Sequence, residues 1–131
     1  MSDVLKAILN ADTVVEKKVY MKRFGVDFTI RALAGDVIDR MQEQCTFYEG
    51  KGNKRRKVVD EQKFSSLIIV ESCVEPKWNS PEILEKFQAA TPADAVKKVL
   101  LAGELAKLSM EILSLSGFDE DDEEVLEDIK N

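Results

Sequence analysis

A chain of 131 residues, 44% apolar and 34% charged, suits one globular domain with a single core and excludes a disordered polymer. No stretch approaches the roughly 18 apolar residues of a bilayer span, and the first residues lack the basic and apolar regions of a signal peptide, so the expectation is a cytoplasmic protein that meets no membrane. The formal charge of -6 is unevenly placed: with Lys130 and the eight carboxylates of residues 119–131 set aside, 18 basic and 17 acidic residues remain, so a near-neutral domain over 1–118 carries an acidic, flexible tail over 119–131.

From the N-terminus, Ser2 is placed to cap a short helix in which Val4, Leu5, Ile8 and Leu9 share one face, ending near Asn10 to Asp12. A helix of that length does not stand alone, so it packs or frays. The period then changes. Lys18 to Phe24 is β-prone, and Val26, Phe28, Ile30 and Ala32 alternate with Asp27, Thr29 and Arg31, so residues about 18–33 read as a hairpin turning at Gly25. Two strands are marginal in water, so their apolar face must lie on helices.

Four helices follow in the reading. Ala34, Ile38, Met41, Cys45 and Tyr48 recur at steps of four and three, giving a helix over about 35–48. Glu49 to Lys57 is polar, glycine-bearing and basic, an exposed loop with no strand leading into it. Asp60 caps a central helix over about 60–74, stopped by Pro76. Ser80-Pro81 and Thr91-Pro92 then open helices over about 80–88 and 91–116, each pairing a capping hydroxyl with proline at the first helical position. The expected fold class is mainly α with a small N-terminal β-hairpin, an α+β arrangement in which a compact helical domain carries the acidic C-terminal tail.

The 91–116 segment changes face along its length. Asp94, Lys97 and Lys98 mark the polar side of its first half, whereas Glu104, Lys107, Glu111 and Ser114 fall on another side in the second. Either the helix bends or breaks at Ala102-Gly103, or it is continuous and its halves meet different neighbours. Leu101, Leu105, Leu108, Ile112 and Leu115 form the candidate partner-binding stripe, open to three uses: core, self-interface or client site.

Signals for chemistry are sparse. The chain contains no histidine, which removes the commonest general base and the Ser/His and Cys/His nucleophile pairs. Cys45 and Cys73, far apart in sequence, read as free thiols within apolar helices, and no cofactor or metal site is expected. Glu71 and Glu104 could in principle have raised pKa values for acid–base work, but solvated or paired carboxylates are favoured, and the chain is read as a non-enzyme. The basic run Lys51 to Lys57 lacks the spacing of a phosphate loop. It keeps a nucleic-acid-binding or regulatory protein open as the alternative function, although nucleic acid is disfavoured because the domain is neutral and no second basic patch is evident. Trp78 is assigned to core or lid packing. In the tail, Val125, Leu126 and Ile129 interrupt the charges at near-helical spacing, which suits folding on a partner.

The stretches Val4 to Asp12, Val19 to Val26, Glu43 to Thr46 with its glycine-lysine loop, Cys73 to Pro76, Leu100 to Glu104 and Leu115 to Phe118, in that order and spacing, resemble the XkdN-like family of phage tail assembly chaperones. The resemblance implies a helper found in bacteriophage and prophage systems of Gram-positive bacteria. It would bind the tape measure protein in the host cell, keep it soluble during tail tube assembly, and be absent from the finished virion. It also implies a longer form made by a ribosomal frameshift near the C-terminus.

Overall fold

The computed structural model describes residues 2–11 and 14–118; the acidic run 119–131 lies outside them. Alternation builds the first sheet: strands β1 (Glu16–Met21) and β2 (Val26–Arg31) pair antiparallel, with Val19 opposite Phe28 and Met21 opposite Val26. Val19, Met21, Phe28 and Ile30 are buried, while Lys18, Tyr20 and Asp27 are exposed. The turn between the strands ends on Gly25 at φ +68, whose amide donates to the Met21 carbonyl at 2.9 Å. That backbone conformation favours a residue without Cβ.

The expected fold class needs correcting. The described residues hold two antiparallel sheets and six α-helices, so one N-terminal hairpin in a helical body does not describe the chain. Helix α1 (Asp3–Asn10) precedes β1, and α2 (Gly35–Gln44) ends four residues short of the expected 48. The next residues become strand β3 (Thr46–Glu49), paired with β4 (Arg56–Val59), with Phe47 opposite Val58 and Tyr48 opposite Lys57. The Asp60 amide donates to the Cys45 carbonyl at 2.8 Å and closes the ribbon at its base. The step pattern of α2 runs on into Tyr48, but the aromatic and β-branched residues of 46–49 and 56–59 gain more from pairing across the loop than from another helical turn. The basic loop is therefore the tip of a hairpin.

Gly50 makes that tip possible. Its φ is +89, and a Cβ there would lie 2.6 Å from the Lys54 carbonyl oxygen. Gly50→Ala is expected to cost roughly 1–3 kcal/mol, read as a lower urea midpoint together with faster amide exchange in 46–59. Gly25→Ala, at a site with open space around it, should cost less. Equal losses at the two positions would contradict this account.

Asp60 caps α3 (Glu61–Ser72) by accepting from the Lys63 amide at 3.1 Å. This helix ends before the expected 74, because Cys73–Glu75 forms strand β5 and pairs with β2, extending the first sheet to β1-β2-β5. Ser72, fully buried, makes the junction: its hydroxyl accepts from the Arg31 amide at 3.2 Å and donates to the Arg31 carbonyl at 2.6 Å. Helices α4 (Pro81–Lys86), α5 (Pro92–Val99) and α6 (Ala102–Leu115) complete the chain, the first two starting at the proline positions read from sequence. Helix α3 packs against α2, α5 and α6, and α6 against β1 and β2. Phe64, Ile68, Ile69, Val96, Leu108 and Ile112 meet the sheet residues in one core. Trp78 is part of that core, with its ring edge-on to Phe28 at 6.2 Å.

Candidate functional site

The segment 91–116 is two helices, and the break falls at Leu100-Leu101 rather than at Ala102-Gly103. Both leucines are extended, with ψ 139 and ψ 156, whereas Gly103 sits in the first turn of α6. A leucine at the N-cap has no side-chain acceptor to offer. Glu104 supplies half of a capping box instead, its carboxylate accepting from the Leu101 amide at 2.8 Å. Arg23, in the turn after β1, then holds the joint. Its guanidinium donates to both Glu104 oxygens, at 2.6 and 2.9 Å, and to the Val99 carbonyl at 2.7 Å. One side chain thus ties the end of α5, the start of α6 and the hairpin together.

Two further residues of the polar stripe of α6 continue this contact along β1 while staying open to solvent. Lys107 Nζ donates to the Tyr20 carbonyl at 3.1 Å, and Lys17 pairs with Glu111 at 2.6 Å. Glu104, one of the two carboxylates considered for acid–base work, has its pKa lowered, chiefly by the Arg23 hydrogen bonds, which is the opposite of what a proton donor near neutral pH requires. Glu71 pairs with Arg31 at 3.3 Å. A depressed folded-state pKa contributes stability that is present above the unfolded carboxylate value of about 4.3 and is lost as pH falls through the folded value. Amide exchange at Leu101 is therefore expected to quicken as pH drops below about 4, after correction for intrinsic rates. Arg23→Gln should flatten that dependence, and an unchanged profile in this variant would show that another group controls the joint.

The five candidate residues of the stripe do not share one surface. Leu108 and Ile112 are fully buried, Leu105 and Leu115 are partly buried against the core, and Leu101 is 59% exposed. Surplus apolar surface lies elsewhere on α6: Met110, 69% exposed, joins Leu113, Phe118, Ile38 and Phe64 around a groove of about 360 Å³ between α2 and α6.

A larger bare surface is on α1. Ser2 caps it, accepting from the Leu5 amide at 3.1 Å, and none of its residues is buried. Val4, Leu5, Ile8 and Leu9 are each 45–70% exposed. The helical period made that face legible in the sequence, but nothing in the sequence shows that the body leaves it uncovered.

At the β3–β4 tip, Arg55 lies over the Tyr48 ring at 4.2 Å and Arg56 pairs with Glu49 at 3.1 Å, so two of the five cations are engaged within the ribbon. The cysteines are free thiols, as read from sequence. Burial pushes Cys73 up to about 11, with the Trp78 indole pulling weakly the other way, and burial also raises Cys45. Such thiols are poor nucleophiles at neutral pH. No helix among the described residues is long and apolar enough to cross a membrane.

These features define a small α+β domain with bare apolar helix faces, the character of a protein-binding module. The sequence profile of the phage XkdN-like tail assembly chaperone family matches residues 5–130, and the chain belongs to that family. It is 33% identical over 108 residues to the uncharacterized protein YqbN of Bacillus subtilis strain 168, covering 81% of this chain and 72% of that one. It is 32% identical over 108 residues to the phage-like element PBSX protein XkdN of the same organism, covering 81% and 73%. The fold is similar to the crystal structure of the protein YqbN, with a TM-score of 0.63 at 23% identity, over 90% of this chain and 98% of the other. Membership in a chaperone family implies a protein partner.

Proposed function

We propose that the protein binds the tape measure protein of its phage or prophage, keeps it soluble during tail tube assembly, acts in the host cytoplasm without catalysis, and is absent from the mature virion. The observation that carries this reading is the bare face of α1, where four large apolar side chains share one side of a capped helix and none is buried. An eight-residue helix is marginal alone in water, and a helix laid on an apolar groove or stripe is a common mode of protein recognition. A long helical client exposes such stripes until the tube encloses it. Met110 on α6 and Leu101 at its N-cap add apolar surface that suits a client read in many registers.

Co-expression with the tape measure protein tests the proposal. The expected result is a soluble client that co-purifies with this chain; a client equally insoluble with and without it would reject the function.

The basic β3–β4 ribbon favours a second reading, nucleic-acid binding, through the exposed Tyr48 and the cations of its tip. That reading requires salt-sensitive binding lost in Lys51→Gln/Lys54→Gln/Lys57→Gln.

A further inference from the structure

The cations of this domain gather in a second place, where the basic run 17–22 meets a lysine from a remote helix. Lys17, Lys18 and Lys22 come from β1 and the turn after it, Lys107 from α6, and together they line a groove of about 370 Å³ along the edge of the first sheet, with Tyr20 in its wall. Its one carboxylate, Glu111, is already paired with Lys17. Lys107 uses one of its three N–H bonds on the Tyr20 carbonyl. Lys18 and Lys22 have no ion-pair partner among the described residues. At the far end, where Lys22 and Lys107 continue into a second groove, Leu101 is exposed. The result is a positively charged channel with apolar patches, running along a strand edge of the kind that proteins commonly cover.

We infer that this groove is the docking site of the chain's own acidic segment, residues 119–131. Charge complementarity is the first support: that segment holds eight carboxylates against one lysine, and the rest of the chain is near neutral. Chemistry is the second, since Val125, Leu126 and Ile129 among the acids match Tyr20 and Leu101 among the lysines. The β3–β4 tip is also basic, but two of its cations are engaged internally.

Reach is the third support. Residue 119 follows Phe118, three positions past the end of α6, and Glu111 of that helix already touches the Lys17 end of the groove. Thirteen residues span up to about 43 Å when extended, and the 14 residues of α6 run about 21 Å. The segment can therefore leave α6, turn back and follow the groove from Lys17 to Leu101 within one chain.

Zero-length carbodiimide cross-linking of the full chain, as a mixture of light and heavy-isotope-labelled protein, tests this by mass spectrometry. Expected are links from carboxylates of 119–128 to Lys18, Lys22 or Lys107 without mixed-isotope pairs. Their yield should fall several-fold between about 50 mM and about 0.5 M salt, as screened charge pairs do. Lys18→Glu/Lys22→Glu, both exposed positions, should abolish the groove links without changing the melting temperature. Links mainly to Lys51, Lys54 and Lys57, mixed-isotope pairs at the groove, or links scattered over all lysines would each overturn the assignment. The outcome is independent of tape measure binding, which this experiment does not include.

Discussion

Leu108→Ala is expected to lower the unfolding free energy by about 2–5 kcal/mol, a large share of the roughly 5–15 kcal/mol that holds a domain of this size together. The residue is completely buried in the cluster where α6 meets α3 and the first sheet. Alanine removes three carbons and leaves a cavity that α3, fixed on α2, α5 and α6, cannot collapse to fill. Ile112→Ala, one turn on and equally buried, should behave alike, and because the two share neighbours their losses should not simply add. Urea unfolding with an unchanged slope measures the effect. A loss below about 1 kcal/mol at Leu108 would return it to the surface and revive the stripe as an interface. Aspartate at either site should abolish folding, so polar variants there cannot separate partner binding from stability.

Ile8→Asp/Leu9→Asp should do the reverse. Neither side chain is buried, so the melting of the 14–118 body should move by no more than about 0.5 kcal/mol. Under the proposed function the two side chains bury on the client at about 1.5–3 kcal/mol each, and losing both weakens the complex at least a hundredfold. The expected outcome in co-expression is an insoluble tape measure protein beside a chaperone that still folds. A variant that folds and solubilises the client as before would remove α1 from the binding surface. Leu101→Asp, at an exposed N-cap whose neighbouring carboxylate is committed to Arg23, is a useful companion, because it probes α6 without entering the core.

Much of the local architecture was legible in the residues. The alternation of Val26, Phe28 and Ile30 placed β2, and Gly25 placed its turn. Ser2, Asp60 and Thr91 each accept the backbone hydrogen bond expected of an N-cap. The candidate site was read less well. The change of polar face along 91–116 left open a bend or break at Ala102-Gly103 or a continuous helix; the chain breaks, but two residues earlier, at Leu100-Leu101. A single glycine is tolerated in a helical first turn, and what breaks the chain is a joint held by Arg23 from 81 residues away. Glu104, Lys107 and Glu111 of the α6 polar stripe are held at the surface by Arg23, the Tyr20 carbonyl and Lys17, while Leu108 and Ile112 on the other side enter the core.

The sequence by itself determined the starts of α1, α3, α4 and α5, the first hairpin and the family, because caps, prolines, alternation and the order of short matching stretches are local properties. Tertiary structure alone decided that Cys73–Glu75 joins β2, that residues 46–59 form a ribbon, and that Leu108 and Ile112 are core while the α1 face is left bare. In each case the deciding partner is remote in the chain: Ile30 for Cys73, Val59 for Thr46, α3 and the sheet for α6. Period and propensity state which face of a segment is apolar, but only the packed neighbours determine whether that face is covered.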